Sequence, residues 1–256
     1  MPGFHIENFG CRAARADGEA IAERLQAAAC NAQDLCEADV VVVNTCSVTA
    51  EADREARAYI RRTHRRNPAA RIVVTGCYAQ RAPEELAALP GVAAVVGNSH
   101  KALAPEIVLG LAGVPAAQQT SHELIRIKAA SAAEQLILAD DHFAHSFLEE
   151  AQVVPGAQTR PNLKIQEGCS NRCTFCVIPQ TRGHSRSLAP EKILQQVRGF
   201  VAAGGKELVF SGINMGRWGR DLGHTHCEPR TLTELAHTIF DETDLPRLRL
   251  SSIEPM

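Results

Sequence analysis

Four valines in a row, at positions 40–43, limit the architectures open to this chain more than any other feature. A β-branched run with no polar position has no face to give to water, so it suits a strand covered on both sides. Strands of that kind belong to parallel sheets lying between helices. The surrounding pattern agrees. Strands are expected over residues 4–9, 39–43, 72–75 and 93–96, and helices over 17–29, 50–66, 83–89 and 101–110. The second helix ends before Asn67-Pro68, and Pro83 stands where the third opens, as proline prefers. Strands alternating with helices make βαβ units and a parallel α/β sheet.

From residue 116 to about 160 the pattern weakens to a few strand-like pieces such as 124–127, and Pro155-Gly156 with residues 159–162 marks a boundary. Alternation then resumes, with strands expected over 163–166, 207–210 and 248–251 and helices over 189–203 and 232–240. Strand starts about forty residues apart suit a (β/α) barrel, but three strands cannot close one. The expected organisation is an α/β domain over 1–115, an interdomain segment over 116–160 and an incomplete (β/α) barrel over 161–256. The sequence stops directly after a strand, so the expectation is a chain that ends in mid-domain. Such a half-barrel would expose apolar edges. The chain is therefore expected to fold its first domain and to be weak or inactive as an enzyme.

Composition removes several classes. In 256 residues, 27 Lys and Arg face 29 Asp and Glu, a net charge of −2. Coating nucleic acid by charge alone needs a surplus of cations. With 45% hydrophobic and 22% charged residues, the chain is not disordered. The longest apolar stretch, 107–117, is broken by Gly110, Gly113 and Pro115 and falls short of a membrane span. The first ten residues lack a signal-peptide layout. The expected setting is cytoplasmic, with no membrane and no DNA partner.

Nine cysteines without an export signal argue against a disulfide framework. Cys11, Cys46 and Cys77 each follow a strand and precede a helix. In a parallel sheet all such loops share one edge, the edge where ligands bind. Three thiols far apart in sequence are therefore expected to converge on a metal; the bland alternative is three small buried hydrophobes. Cys30 and Cys36 lie off that edge and read as filler. Cys169, Cys173 and Cys176 form a C-x-x-x-C-x-x-C loop after a later strand. A closed zinc site wants four ligands, and the nearest fourth candidate, His184, lies beyond Pro179 and Gly183. A [4Fe–4S] cluster on three cysteines keeps one iron open for chemistry.

This spacing, on the first strand–loop of a barrel, resembles the radical S-adenosylmethionine superfamily. The run QEGCSNRCTFCVIPQTRG, with NFGC, VVNTC and VTGCYAQ upstream, resembles its methylthiotransferase branch. NFGCR, VVGNSHK, GINMGRWG and LRLSSIEP look like the enzymes that methylthiolate threonylcarbamoyladenosine in tRNA. The resemblance implies a parallel-sheet methylthiotransferase domain followed by a radical-SAM partial barrel, holding two [4Fe–4S] clusters and S-adenosyl-L-methionine. The cluster on Cys169, Cys173 and Cys176 would bind and cleave the cofactor. The cluster on Cys11, Cys46 and Cys77 would hold the sulfur to be transferred. Phe175 would pack near the cofactor's adenine; its alternative is a plain core phenylalanine. Gly204, Gly205 and Glu207 would contact its methionine moiety, although two glycines before a strand are also a turn signal. Ser211 and Asn214 would be polar contacts to the same cofactor. The implied partners are the anticodon loop of tRNA and an electron donor such as flavodoxin or ferredoxin. Relatives often carry Asn-Gln-like residues near Ala14 and Arg15, and they continue past the end of this chain.

Other features say less. Arg61, Arg62, Arg65 and Arg66 crowd one helix end beside His64, as a phosphate patch or a solvated terminus. Arg182, Arg186, Arg217 and Arg220 follow barrel strand ends and could meet tRNA or a cofactor carboxylate. His224-Thr225-His226-Cys227 resembles a metal tract on paper. Two further substrates stay open, isopentenyladenosine in tRNA and a ribosomal-protein aspartate. A reading from another class is a non-catalytic zinc or iron–sulfur binding module.

Overall fold

The computed structural model describes residues 1–114, 135–144, 153, 155, 160–222, 231–251 and 253. The chain separates into two compact units. The first is Met1–Leu148 with Gln180–Arg182, and the second is Glu149–Pro179 with Gly183–Met256.

The first unit runs β1 (Gly3–Asn8), α1 (Arg12–Ala27), β2 (Asn31–Ala32), β3 (Val40–Thr45), α2 (Ala50–Arg66) and β4 (Arg71–Gly76). It continues through α3 (Cys77–Arg81), α4 (Pro83–Ala87), β5 (Val92–Gly97), α5 (Ala104–Leu111) and β6 (Leu136–Leu138). The sheet order is β2-β1-β3-β4-β5-β6, and every pair is parallel. The four valines occupy the middle of it, each 0% exposed. Val40 and Val42 join Ile21 and Leu25 of α1 and Ile107 and Val108 of α5 in one core layer. Val41 and Val43 join Ala56 and Ile60 of α2 and Leu86 of α4 in the other. Each buried valine contributes about 1.5–3 kcal/mol, which explains why β3 carries no polar residue before Asn44.

The helix over 50–66 has the expected bounds because both ends are chemically marked. Thr49 accepts from the Ala52 amide and caps it, and Asn67-Pro68 ends it. Four elements differ from expectation, the two-residue β2 being one. α1 begins at Arg12, directly after Cys11, five residues before the expected start at 17. α3 was not expected, since five residues are too few to show a helical period. β6, in the stretch read as interdomain, adds a sixth parallel strand against β5. The piece at 124–127 lies outside the described residues.

The second unit contains β7 (Asn162–Lys164), β8 (Gln166–Glu167), β9 (Arg186–Ser187), α7 (Pro190–Ala202), β10 (Glu207–Ser211), α8 (Leu232–Glu242) and β11 (Arg247–Leu250). α6 (Ile178–Arg182) spans the division between the units. β10 lies between β7 and β11, parallel to both, and β8 pairs antiparallel with β9. α8 opens with a capping box, Thr231 and Glu234 bonding each other's backbone amides. The three expected barrel strands form this parallel sheet. Among the described residues no helix is long and apolar enough to cross a membrane.

Candidate metal centres

Strand register builds the first thiol set. β1, β3 and β4 are neighbours, with Asn8 opposite Asn44 and Thr45 opposite Gly76. Cys46 and Cys77 directly follow β3 and β4, and Cys11 is the N-cap of α1 after β1. All three stand at the carboxyl edge, where strand order reverses between β1 and β3; crevices for ligands open at that place in parallel sheets. A valine run can slide with little change in burial, so the polar residues that follow it fix the register. Asn44 Nδ2 donates to Asn8 Oδ1 at 3.0 Å and to the Ala14 carbonyl at 2.5 Å. Thr45 Oγ1 donates to the Thr75 carbonyl at 2.6 Å.

Gly76 has φ 98° and ψ −162°, a region open essentially to glycine alone. A Cβ there would lie 2.3 Å from the Thr45 carbonyl oxygen. Gly10 approaches Cys46 so closely that a Cβ would lie 3.0 Å from its Sγ. Cys46 and Cys77 are buried, and Cys11 is exposed. Burial pushes the Cys46 thiol up, and Cys77 and Cys11 add to the rise; the Val48 amide and the Arg182 guanidinium act against it. Two donors meet at Cys77 Sγ: Arg182 Nε at 3.3 Å and Asn98 Nδ2 at 3.5 Å. Arg182 Nη1 pairs with Asp17 Oδ2 at 3.2 Å, and Lys101 Nζ reaches the same oxygen at 2.8 Å.

A single loop builds the second set. Cys169, Cys173 and Cys176 follow β8, with Cys173 exposed and the others half-buried. The Cys169 amide donates to the Gly183 carbonyl at 3.0 Å, and the Cys176 amide to the Cys173 carbonyl at 3.1 Å. Cys169 Sγ accepts from the Asn171 amide and from Asn214 Nδ2, both at 3.4 Å. Gln166 ties this loop to the one after β10. Its Nε2 donates to the Glu167 and Gly168 carbonyls and to Ser185 Oγ, and its Oε1 accepts from the Ile213 and Asn214 amides at 2.9 and 2.6 Å. Ser211 Oγ and Asn214 Oδ1 are buried at that strand end with no hydrogen-bond partner among the described residues. Leaving such an atom unpaired costs about 1–3 kcal/mol, so both are chemically suited to a polar ligand.

Among the described residues, no three Cys, His, Asp or Glu side chains are arranged to hold a metal ion by themselves. The fit rests on donor chemistry: two sets of three sulfurs, soft ligands that suit iron–sulfur clusters or zinc.

Other expected site residues fall elsewhere. Gly204 and Gly205 close α7: their amides donate to the Val201 and Phe200 carbonyls, both at 2.9 Å, a Schellman turn. A Cβ on Gly205 would lie 2.2 Å from the Phe200 ring. Glu207 begins β10 and binds Arg247 at 2.9 Å, Arg160 at 3.4 Å, and Arg249. These three residues sit at the amino edge of β10, opposite the end that carries Ser211, so the structure does not bring them to the cluster loop. Phe175 is 90% exposed, which removes the plain-core alternative. Cys30 is core and Cys36 is exposed. Arg61, Arg62, Arg65 and Arg66 are exposed at the end of α2, and His224 to Cys227 lie outside the described residues. Sequence reasoning missed Gln166 and Asn98, whose amides show their use only once the chain is folded.

Two families match the chain. One, described as the uncharacterized protein family UPF0004, covers residues 3–97, and the radical SAM superfamily covers 163–218. A parallel α/β unit with thiols at its strand ends, joined in one chain to a radical SAM region, defines the class. Over nearly its whole length the chain is similar to radical S-adenosylmethionine methylthiotransferases. It is 37% identical, over 98% of its length, to the threonylcarbamoyladenosine tRNA methylthiotransferase MtaB of Bacillus subtilis (strain 168), covering 51% of that protein. The enzyme of the same name from Aquifex aeolicus (strain VF5) is 38% identical over 73% of the chain, which covers 42% of it. The one from Thermotoga maritima is 30% identical over 99% of the chain, which covers 52% of it. The chain thus spans about half the length of the curated relatives it matches. The structure of the radical S-adenosylmethionine methyltransferase TsrM from Kitasatospora setae overlaps 84% of this chain and 50% of that one, at 12% identity and a TM-score of 0.49.

Proposed function

We propose that these two units belong to a tRNA methylthiotransferase that places a methylthio group on C2 of N6-threonylcarbamoyladenosine beside the anticodon. The observation that carries the reading is the pairing of two three-thiol sets in one chain, one at adjacent strand ends and one on a single loop. The names of the relatives supply the substrate. Cys169, Cys173 and Cys176 would hold one [4Fe–4S] cluster, and Cys11, Cys46 and Cys77 a second. When bound, such a cluster supplies the electron that cleaves S-adenosylmethionine to a radical, which an unactivated aromatic C–H requires. The chain's own residues position. Gln166 fixes the cluster loop against the loop after β10. Ser211 Oγ and Asn214 Oδ1 offer unsatisfied polar atoms to the cofactor, and Phe175 offers an exposed ring to its adenine. The target base lies in a loop, where bases can be splayed out and read. A tRNA substrate sets the work in the cytoplasm, with electrons from a flavodoxin- or ferredoxin-like donor.

The test has two parts. Iron and acid-labile sulfide are measured per chain after anaerobic reconstitution, in wild type and in the Cys169→Ala/Cys173→Ala/Cys176→Ala variant. The expected result is about eight irons falling to about four; zinc without iron overturns the reading in favour of a binding module. Nucleoside mass spectrometry of tRNA from a deletion strain then reads the substrate. Loss of the methylthio group from threonylcarbamoyladenosine is expected, and loss from isopentenyladenosine or from neither redirects the assignment.

A further inference from the structure

Arg182 occupies a place that its sequence neighbourhood does not explain. It lies six positions after Cys176, in a stretch read as a source of cations for tRNA or a cofactor carboxylate. Yet it is 1% exposed, packed within the first unit. Burying a guanidinium is costly unless its donors are used. Here one nitrogen takes the Asp17 carboxylate at 3.2 Å, and Nε points at Cys77 Sγ at 3.3 Å. Asp17 is itself 3% exposed, and Lys101, 1% exposed, holds the same carboxylate oxygen. The carboxylate thus pins the guanidinium in a fixed orientation against the sulfur. Asn98, 1% exposed, brings a second N–H to the same atom at 3.5 Å, and its Nδ2 also bonds the Thr181 carbonyl at 2.8 Å. One sulfur out of three therefore receives a fixed cation and an amide donor.

We infer that Arg182, oriented by Asp17 and seconded by Asn98, is a positioning residue that sets the reduction potential of the cluster held by Cys11, Cys46 and Cys77. This rests on the two-cluster reading above. Hydrogen bonds and positive charge at a ligating sulfur stabilise the more negative, reduced cluster, and so raise its potential. The position also separates the two sets. In the second set, Cys169 Sγ accepts from neutral amides, those of Asn171 and Asn214. The same inference places its cluster at the lower potential that reductive cleavage of a sulfonium demands. The first cluster, made easier to reduce, can carry sulfur without competing for that chemistry.

The test uses the full chain carrying Cys169→Ala/Cys173→Ala/Cys176→Ala, so that only the first set can hold iron. Iron, sulfide and circular dichroism are recorded, followed by a dithionite redox titration read by electron paramagnetic resonance. Arg182→Gln is expected to keep its iron and move the midpoint potential to more negative values. Arg182→Lys, which restores a cation, is expected to recover part of the shift. Asn98→Ala, which removes a donor without stranding Asp17, is expected to shift the potential the same way by less; it carries the test if Arg182→Gln does not fold. Iron retained with an unmoved potential in Arg182→Gln, or in Asn98→Ala where that variant carries the test, overturns the inference and leaves the two-cluster reading intact. A parent variant that binds no iron overturns both.

Discussion

The two thiol sets reach the same donor chemistry by opposite routes. In the first unit the sulfurs come from positions 11, 46 and 77, and nothing local brings them together. Their shared edge depends on β1, β3 and β4 holding register, to which buried Asn44 and Thr45 contribute. In the second unit the sulfurs at 169, 173 and 176 share one loop, and the fold's task is only to hold that loop by Gln166. The lesson concerns vulnerability. A register-built site is broken by changes in the sheet, far from any sulfur. A loop-built site is broken by changes in the few bonds that anchor the loop.

The largest break is expected at Gly76→Val. Its backbone conformation costs a non-glycine residue about 1–3 kcal/mol, and overpacking against the Thr45 carbonyl costs a similar amount. The cost is borne by backbone, which cannot swing aside. Urea unfolding followed by the first unit's signals is expected to show a loss of several kcal/mol. Iron on the first set is expected to fall although no cysteine has changed, while iron on the second set stays. Equal loss from both sets would remove the distinction between them.

A smaller break of the opposite kind is expected at Gln166→Ala. Its side chain accepts from two backbone amides and donates to three oxygens. Deleting it strands buried donors at about 1–3 kcal/mol and frees the loop after β10 from the cysteine loop. The expected outcome is faster chelator stripping of the second set's iron, with the first set's stripping rate unchanged.

The same contrast decides what a sequence can reveal. The β3 valines declare a doubly covered strand, and each of the three early cysteines stands between a strand of the same sheet and the helix after it, Cys46 and Cys77 directly after their strands and Cys11 three residues on, so their shared edge is legible in the order of residues alone. The C-x-x-x-C-x-x-C spacing is legible because its geometry is local. Gly204, Gly205 and Glu207 lie at the start of β10, away from its carboxyl end, for a related reason. A motif's spacing does not say on which edge of the sheet it lies, and residues that precede a parallel strand lie on the edge opposite the ligand. α1 starts early because Arg12 and its alanines are good helix formers, and β2 and α3 are too short to carry any period. The roles of Gln166, Asn98 and Asp17 left no trace, although the first two stand in motifs the sequence shows, since a polar side chain's partners are set by the tertiary fold.

The smallest effect sharpens the comparison through pH. Glu207 holds β11 to β10, and its carboxyl lies below the usual range because Arg249 hydrogen-bonds the carboxylate; burial opposes this, and Arg247 adds to the lowering. A lowered folded value means the ionised form is favoured on folding. The contribution is present above the unfolded value of about 4.3 and disappears as pH falls through the lower folded value. In the first unit the corresponding group is Tyr59, pushed up to about 12, chiefly by burial. Its contribution is full below about pH 10 and is lost as pH rises toward that folded value. The Glu207 pairs are therefore expected to cost the second unit stability in acid, and Tyr59 to cost the first unit stability in alkali. Unfolding of wild type, Glu207→Gln and Tyr59→Phe across the pH range measures this. Glu207→Gln is expected to flatten only the acid side and Tyr59→Phe only the alkaline side. A Glu207→Gln chain that still loses as much stability as wild type between about pH 5 and pH 3 would show that the β10–β11 ion pairs contribute nothing measurable, as exposed pairs often do.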